Sequence, residues 1–375
     1  MSRSRRFLFL MLVIWAALFV QSSFFESPEF RIWDTIRDDE THRFASNQRI
    51  EMQEVGDLGR SSWVRSLQVP RDVVFTTDRW GLRNPIEIEH PRVVVLGDSY
   101  VAGSSITDRE TVTVAMSREL REPIYNFAVQ SVDVPALFLR DSRFAETPPE
   151  IVIWAPVARR IRPRPLSFPA ANADSASPFE RSLLAIRRAG EALEAFEDRL
   201  NRDNGLTHWA RYLYNGLQHR WFGNPNLIDT PEGLFLALGL EDQGLTASAE
   251  EREVEAVIAM VQAFSAFLAK HGVHLIYCPL PESGTIYPEF FPEEAREALA
   301  APSFLDRLID GSRAQGVQVV DLRPVFRANK SPYLYQPDDS HWNPRGISLA
   351  ADVLAEAVRG FDTRRITSAA IEQPK

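Results

Sequence analysis

The sequence has almost no cysteine and very little lysine. Cys278 is the only cysteine among 375 residues, so an internal disulfide is impossible and a cysteine-based zinc site is poorly supported. Lysine occurs only at positions 270, 330 and 375, and arginine carries nearly all the positive charge. The net charge of −9 argues against a general nucleic-acid binder, because such proteins need a basic face. With 45% apolar and 25% charged residues, the composition is that of a globular protein.

The N-terminus combines basic residues with an apolar run. Arginines precede Phe7–Val20, a stretch that no polar residue interrupts. This order is typical of a signal peptide or an uncleaved signal anchor, and either places the rest of the chain outside the cytoplasm. The run is short for a helix that spans a membrane core of about 30 Å, but it is long enough when extended to Phe25. Because no Ala-x-Ala cleavage site follows, we expect residues 1–25 to anchor the chain in the inner membrane, with a cleaved signal peptide as the alternative.

A polar segment and a turn-rich element follow. Residues 26–72 are polar and weakly periodic, and we expect a juxtamembrane segment that leads into a domain. Residues 73–85 contain glycine and proline turn signals, which predict a short hairpin or edge element. Asp78 and Arg83 are expected to form a structural ion pair that holds this element.

Apolar runs and helical patterns alternate over the rest of the chain. Continuous apolar runs are typical of parallel strands that are buried on both faces. Such a run covers residues 93–96, and further strands are predicted over residues 124–129, 151–155, 274–280 and 317–322. Helices are predicted over residues 109–121, 254–268 and 345–359. Strands and helices in alternation indicate an α/β fold with a parallel sheet. We expect one domain over residues 73–360 and a C-terminal tail over residues 361–375.

A long insertion separates the third predicted strand from the fourth. It covers about residues 160–247, and helical patterns occur at about residues 178–201 and 206–222. We interpret it as a helical subdomain or a lid on the sheet. Its aromatic residues fit the buried face of a helix, with a sugar-stacking surface as the alternative. These residues are Trp209, Tyr212, Tyr214, Trp221 and Phe222.

A serine stands directly after the first predicted strand. Ligands of open parallel sheets bind beyond the carboxyl ends of the strands, so residues at these ends are the first candidates for a site. The turn here reads Gly97-Asp98-Ser99-Tyr100. A serine in a strand-to-helix turn is held clear of the sheet, and neighbouring N–H groups point where an oxyanion forms. Ser99 is therefore a candidate nucleophile, with Gly97 and Asp98 beside the oxyanion; a serine that merely caps the next helix is the alternative.

The sequence also offers a base for this serine. Serine is a weak nucleophile that needs a nearby base, and a histidine base needs a carboxylate that holds its tautomer. His341 follows the fifth predicted strand and precedes the last helix, so the fold brings it to the same sheet edge as Ser99. Asp338 and Asp339 both stand within one turn of His341. We predict a Ser99–His341 pair whose third member is one of these two carboxylates.

These motifs resemble those of the SGNH (GDSL-type) hydrolase superfamily. The shared features are GDSY after the first strand and Asp-x-x-His before the last helix. The runs TTDRWGLRN, GDSYVAG, IVIWAPVARR, LIYCPLPESGTIYP and DDSHWNPRG are similar to the alginate O-acetyltransferase-like branch. The resemblance covers about residues 73–358 apart from the insertion. It implies a flavodoxin-like three-layer α/β/α sandwich with a five-stranded sheet, in which Ser99 is the nucleophile and His341 the base.

The resemblance implies different carboxylates at its two levels. The Asp-x-x-His spacing of the superfamily favours Asp338, whereas the Asp-x-His-Trp form of the branch favours Asp339, which we prefer. The glycine that supplies an oxyanion N–H in the superfamily falls near Gln130 or Ser131, and a non-glycine residue there can still donate its N–H where the backbone angles allow it.

Two further residues are candidates for the site: one follows the third strand, where the sequence departs from the family motif, and the other is adjacent to His341. The superfamily's asparagine after the third strand is absent, and Arg159, which resembles an arginine of the acetyltransferase branch, is our candidate for its role; a structural ion pair is the alternative. Trp342 is a candidate for shaping the acyl pocket or stacking on a sugar ring, and packing under the loop is the alternative.

Together these features predict an enzyme that handles O-acyl groups on carbohydrate in the periplasm. A sugar hydroxyl as acceptor makes it an O-acetyltransferase that works through an acyl-enzyme, and water makes it an O-acetyl esterase. A non-catalytic carbohydrate-binding scaffold of the envelope is the alternative from another class. We expect no cofactor, no metal and no nucleic acid. The expected partners are a polysaccharide or oligosaccharide acceptor and an acyl donor, which by resemblance a membrane acyltransferase supplies.

Overall fold

The computed structural model describes residues 3–23, 31–32, 36–38, 41–129, 133–162, 205–223, 227–230, 233–236, 251–291, 293, 296 and 303–371. Ser131 and the helix predicted over residues 178–201 lie outside these residues. The chain divides into two compact units. The smaller unit comprises residues 1–29, 59–68 and 169–224, and the larger unit comprises residues 30–58, 69–168 and 225–375.

The elements are numbered in chain order. The strands are β1 (Arg49–Glu54), β2 (Arg71–Thr76), β3 (Val93–Gly97), β4 (Ile124–Ala128), β5 (Ile151–Ala155), β6 (Leu227–Thr230), β7 (Gly233–Leu236), β8 (His274–Tyr277) and β9 (Gln318–Val319). The helices are α1 (Arg3–Ser23), α2 (Asp57–Ser61), α3 (Ser99–Ala102), α4 (Val112–Leu120), α5 (Val134–Leu139), α6 (Ser142–Glu146), α7 (Gly205–Phe222), α8 (Glu251–Lys270), α9 (Ser283–Ile286), α10 (Phe304–Ala314), α11 (Arg323–Ala328) and α12 (Pro344–Ile371).

A parallel sheet of five strands forms the centre of the larger unit. Its strand order is β4-β3-β5-β8-β9. The register places Val93 beside Ile124 on one side and Ile151 on the other. Every residue of β3, β4 and β5 is buried, which explains why the sequences of these strands are apolar except at Asn126. The predicted α/β fold with a five-stranded parallel sheet is confirmed.

Helices cover both faces of this sheet. Alternate residues of a strand point to opposite faces. Val93 and Val95 belong to a core cluster with residues of α4 and α12. Val94 and Leu96 belong to a second cluster with residues of α5, α6, α8 and α10. The periodic apolar positions predicted over residues 254–268 form the buried face of α8. The sandwich therefore has the three layers that the family resemblance implies.

Residues 30–58 and 69–72, which precede the expected boundary, belong to the larger unit. Strand β1 pairs antiparallel with β2, so that Arg49 lies opposite Thr76 and Glu54 opposite Arg71. The predicted edge element is thus present as β2. Its partner strand β1 lies within residues 26–72, which the sequence predicts to be a juxtamembrane segment. The unit accordingly begins well before the expected boundary at residue 73.

The expected pair between Asp78 and Arg83 is wrong. Arg83 is 1% exposed, and its Nε lies 3.0 Å from Asp108 Oδ1. Its Nη1 donates to the carbonyls of Ala102 and Gly103, at 2.9 and 2.6 Å. Arg83 therefore closes the C-terminal end of α3 with its guanidinium, and the partner is set by burial rather than by proximity in the sequence.

Replacing Arg83 by methionine is expected to lower the free energy of unfolding by roughly 3–5 kcal/mol, because Asp108 is left buried without its counter-charge. Urea denaturation followed by circular dichroism measures the change. The matched control is Arg79→Met, since Arg79 pairs with Glu87 and Glu89 at the surface and such pairs contribute about 1 kcal/mol or less. Equal losses of unfolding free energy in the two variants would contradict the inference that the buried Arg83–Asp108 pair stabilises the fold.

The smaller unit contains α1 and α7, and α7 agrees with the helical pattern predicted over residues 206–222. No helix among the residues that the structure describes is long and apolar enough to cross a membrane. The aromatic residues of α7 divide between two environments. Tyr212 is buried and packs edge-on against Trp63, with 5.2 Å between ring centroids. Trp221 and Phe222 are 74% and 87% exposed, so the buried-face prediction holds for Tyr212 and not for these two residues.

Candidate active site

Ser99 opens helix α3 directly after β3, at the carboxyl edge of the sheet. Asp98 caps this helix, and its Oδ1 accepts a hydrogen bond from the N–H of Tyr100 at 3.1 Å. Its Oδ2 accepts from the N–H of Val157 at 3.1 Å, which ties the turn to the residue that follows β5. The side chain of Asp98 thus holds the turn in place, and both of its oxygens are used in doing so.

Gly97 allows the turn to be this tight. A Cβ at position 97 would lie 2.2 Å from Cγ2 of Val101 and 3.1 Å from the carbonyl oxygen of Ala155. Both distances are below normal contact, so any side chain here would displace α3 and the serine with it. The structure therefore gives Gly97 a packing role beneath Ser99.

His341 lies against Ser99. Its Nε2 is 2.7 Å from Ser99 Oγ, although the two residues are 242 positions apart. His341 is 1% exposed and Ser99 is 6% exposed, so the pair is largely shielded from solvent. On the other side of the ring, Nδ1 lies 2.5 Å from Asp339 Oδ1. The same oxygen accepts the backbone N–H of His341 at 2.9 Å, which fixes ring and carboxylate relative to each other.

The structure distinguishes the two carboxylates that the sequence offers as partners of His341. Asp338 is turned away from His341. Its Oδ2 accepts from the N–H groups of Gly56 and Val69, at 2.9 and 2.8 Å, and its Oδ1 forms an ion pair with Arg71. Asp339, and not Asp338, therefore reaches the imidazole.

The charge on Asp339 is stabilised by its neighbours. Burial raises the pKa of this carboxyl, but the nearby His341 and Arg71 outweigh burial and hold the pKa below its usual range. Arg71 Nη1 is 4.0 Å from Asp339 Oδ2. Asp339 thus remains a carboxylate that accepts the Nδ1 proton of His341, and this tautomer leaves the Nε2 lone pair facing the hydroxyl of Ser99.

Arg159 lies close to the site and is held by an ion pair. Its Nη1 pairs with Oε1 of Glu282, and its Nη2 donates to Ser340 Oγ at 3.4 Å. Its guanidinium carbon is 5.8 Å from the ring centroid of Tyr100. The ion-pair alternative considered for Arg159 is therefore present, and its expected role toward an oxyanion stays a prediction.

Trp342 is enclosed in the protein and packs against Tyr100. It is 2% exposed, its Nε1 donates to the carbonyl of Tyr100 at 3.2 Å, and the two rings meet edge-on at 5.5 Å. The packing alternative is present, because a ring enclosed in this way does not stack on a sugar. The expected role of Trp342 in shaping the acyl pocket stays a prediction. Ser131 lies outside the described residues.

Sequence reasoning missed Asp57 and Arg71. Both come from the segment before residue 73, and Arg71 contacts a residue 267 positions away. Asp57, Asp339 and His341 bring potential ligand atoms within 4.8 Å of one another. Both ring nitrogens of His341 are engaged by Asp339 and Ser99, so hydrogen bonding accounts for this cluster without a metal ion. No local sequence signal marked these residues, since neither belongs to a periodic pattern or a motif.

The smaller unit holds a separate cavity of about 550 Å³. Trp209 and Tyr212 of α7 line it, together with Arg65 and Arg220. Aromatic rings and arginines are also the groups that proteins use to hold sugars and acidic groups. The sugar-stacking alternative for the aromatic residues of the insertion stays a prediction.

Comparisons with known proteins agree with the motifs. Residues 235–372 match a family described as "SGNH hydrolase-like domain, acetyltransferase AlgX". This range includes His341 and Asp339 and does not include Ser99.

Two curated relatives carry the name "Probable alginate O-acetylase AlgJ". The relative from Azotobacter vinelandii is 23% identical over 176 residues, which are 45% of this chain and 44% of that protein. The relative from Pseudomonas putida is 30% identical over 114 residues, which are 30% of this chain and 29% of that protein. The chain thus matches less than half the length of either relative. Together with the family match, they confirm the resemblance to the acetyltransferase-like branch.

A solved structure from Slackia heliotrinireducens, described as a candidate SGNH hydrolase, is also similar. The superposition has a TM-score of 0.34 and 12% sequence identity. It covers 71% of this chain and 97% of the Slackia chain.

Proposed function

We propose that this chain, similar over residues 235–372 to the SGNH hydrolase-like domain of the acetyltransferase AlgX, is an extracytoplasmic enzyme that transfers O-acetyl groups to polysaccharide. One observation carries the proposal: Ser99 Oγ, the imidazole of His341 and the carboxylate of Asp339 form a continuous hydrogen-bonded relay, with distances of 2.7 and 2.5 Å. An arrangement of this kind serves acyl transfer through a serine ester.

The first half-reaction acetylates Ser99. As Ser99 Oγ bonds to the carbonyl carbon of the donor, His341 Nε2 takes the hydroxyl proton, and Asp339 stabilises the imidazolium. We expect the backbone N–H of Ser99 to stabilise the developing oxyanion, because the N–H of Tyr100 already donates to Asp98. The bond between this carbon and the donor's leaving group then breaks, and the proton on Nε2 passes to the leaving group. Acetyl-Ser99 and neutral His341 remain.

The second half-reaction regenerates the serine. The acceptor hydroxyl gives its proton to His341 Nε2 as its oxygen bonds to the acetyl carbon. The bond from that carbon to Ser99 Oγ then breaks, and Ser99 regains its proton from Nε2. A sugar hydroxyl as acceptor gives an O-acetylated polysaccharide, whereas water gives acetate and makes the enzyme an esterase.

Three observations favour transfer over hydrolysis. The curated relatives are named as alginate O-acetylases, which add acetyl groups to a polysaccharide. Ser99 and His341 are 6% and 1% exposed, and such enclosure limits the access of bulk water to an acyl-enzyme. The basic residues and apolar run at the N-terminus support a location outside the cytoplasm, where polysaccharide acceptors and an acyl donor meet the enzyme.

The test presents the full-length protein with an aryl acetate and with oligosaccharides of uronic acids or of neutral sugars. Mass spectrometry measures acetylated oligosaccharide, and free acetate is measured in parallel. The expected result is acetylated oligosaccharide that is absent without enzyme and absent with Ser99→Ala. If free acetate is released in equal amounts with and without oligosaccharide, and no acetylated oligosaccharide forms, the result would favour the esterase alternative. Equal products from the two proteins would contradict the role of Ser99 and favour the scaffold alternative.

A further inference from the structure

A second carboxylate lies beside His341, and it comes from the other end of the chain. Asp57 Oδ2 is 3.7 Å from His341 Nδ1, the ring nitrogen that also contacts Asp339. The backbone N–H of Asp57 donates to Asp339 Oδ2 at 3.2 Å. Asp57 therefore contacts the carboxylate of the relay through its backbone and faces the base with its side chain.

Asp57 also holds the residue between Asp339 and His341. Its Oδ1 accepts the backbone N–H of Ser340 at 2.7 Å, and its Oδ2 accepts the hydroxyl of Ser340 at 2.6 Å. Arg159 Nη2 approaches the same hydroxyl from the other side, at 3.4 Å. A carboxylate that binds both the backbone and the side chain of Ser340 restricts the loop on which Asp339 and His341 stand.

We infer that Asp57 is a positioning residue for the acid–base step, which holds the Asp339–His341 loop in its reactive geometry and adds negative charge behind the imidazole. The inference rests on the proposed function, because it concerns the same base. The geometric effect acts on the rate of the chemical step, since a displacement of about 1 Å can cost about 100-fold in rate. The electrostatic effect acts on protonation, since an opposite charge within about 4–6 Å favours the charged form of a titratable group.

The other charged groups around the base are already compensated. Arg71 pairs with Asp338, and Arg159 pairs with Glu282. The titratable and charged groups that face this part of the site, besides Ser99, are Asp57, Asp339, Asp338, Arg71, Arg159, Glu282 and Tyr100. Burial, and then the charge of Asp339, raise the pKa of Asp57 above its usual value, while His341 opposes this shift from 3.7 Å away.

The experiment compares the full-length protein with Asp57→Asn, which keeps the shape of the side chain and removes its charge. Acetyl transfer from an aryl acetate is measured as kcat and KM across pH, beside thermal unfolding. We expect kcat to fall roughly 10- to 100-fold, with little change in KM. We also expect the acid limb of the profile to move to lower pH by about one unit, because the imidazolium loses a nearby negative charge.

The matched control is Glu51→Gln, which makes the same chemical change in strand β1. Glu51 is exposed and pairs only with Arg49 among the salt bridges of the described residues. Its kcat and pH profile should equal those of the unmodified protein.

Two results would overturn the inference. One is an unchanged kcat and pH profile in Asp57→Asn. The other is a lower kcat with an unmoved acid limb, which would assign Asp57 a merely structural role. If Asp57→Asn does not fold, Ser340→Ala removes the hydroxyl that donates to Asp57, together with its 3.4 Å contacts to Arg159 and His341. We expect roughly a threefold to tenfold loss of kcat, and an unchanged kcat would again overturn the inference.

Failure of this inference is distinguishable from failure of the proposed function. If Ser99→Ala is inactive while Asp57→Asn behaves as the unmodified protein, only the role of Asp57 fails. If Ser99→Ala retains full activity, the proposed function fails, whatever the result at Asp57.

Discussion

The Ser99→Ala variant is expected to fold normally and to lose about 10⁴- to 10⁶-fold in kcat, the loss typical of a missing nucleophile in a Ser-His-Asp site. The substitution removes the Oγ that lies 2.7 Å from His341 and leaves the backbone of α3 unchanged. The loss is measured by release of aryl alcohol from an aryl acetate. Intact-protein mass spectrometry after brief mixing should show one added acetyl group on the unmodified protein and none on the variant.

A second buried serine supplies the control. Ser105 is buried close behind α3, and its hydroxyl has no hydrogen-bond partner among the described residues. Ser105→Ala should therefore keep the kcat and the acetylated species of the unmodified protein. Acetylation that persists in Ser99→Ala would place the acyl group on another residue and contradict the proposed nucleophile.

The second large effect concerns the choice between neighbouring carboxylates. Asp339→Asn is expected to lower kcat by about 10⁴-fold, because an amide cannot hold His341 in the tautomer that leaves Nε2 free to accept a proton. The Asp339 Oδ1 to His341 Nδ1 distance of 2.5 Å makes this carboxylate the orienting group. Steady-state kinetics with an aryl acetate, at equal protein concentration and verified fold, measures the loss.

Asp338→Asn is the matched control, since it makes the same change one residue earlier. Asp338 is buried and pairs with Arg71, so the expected loss is in stability, by roughly 3–5 kcal/mol, rather than in the orientation of the base. Chemical denaturation measures this loss. The reverse pattern, with a normal rate in Asp339→Asn and a 10⁴-fold loss in Asp338→Asn, would return the orienting role to Asp338.

The lowered pKa of Asp339 sets the sign of the acid response. A carboxyl whose pKa is lowered by folding stabilises the protein at every pH above the pKa of the unfolded chain. This contribution is lost as pH falls through the lowered pKa of the folded protein. The Asp339 carboxylate therefore survives mild acidification. A loss of activity in weak acid is therefore not expected to come from protonation of Asp339.

Much of the site was predictable because it lies at strand ends. Ser99 follows a buried run that reads plainly as a parallel strand, and His341 follows the last such run, so topology alone brings them to one edge. The choice between Asp338 and Asp339 was not predictable from spacing, because both lie within reach of the ring. It depends on where the backbone directs each carboxylate, which is decided by the N–H groups of Gly56 and Val69 that bind Asp338.

The missed residues share a physical reason. Asp57 and Arg71 act across 283 and 267 positions of the chain, and polar contacts over such separations leave no periodic trace in the sequence. The error at Arg83 is of the same kind, since its partner Asp108 is 25 positions away, whereas the expected partner Asp78 is only five positions away. Trp342 was open because the sequence does not tell a ring that faces a pocket from one enclosed beneath a loop.

The contacts between the β1–β2 segment and the Asp338–His341 loop make these two remote parts of the chain open together in one local unfolding event. Gly56, Asp57, Val69 and Arg71 supply the contacts that hold the Asp338–His341 loop, so release of residues 49–76 would also release the base. Segments that open together share one free energy of opening, and anything that binds only the closed form raises it. Slow hydrogen exchange at the amides of β1 and β2 would therefore report an occupied active site, although neither strand contacts the reacting atoms.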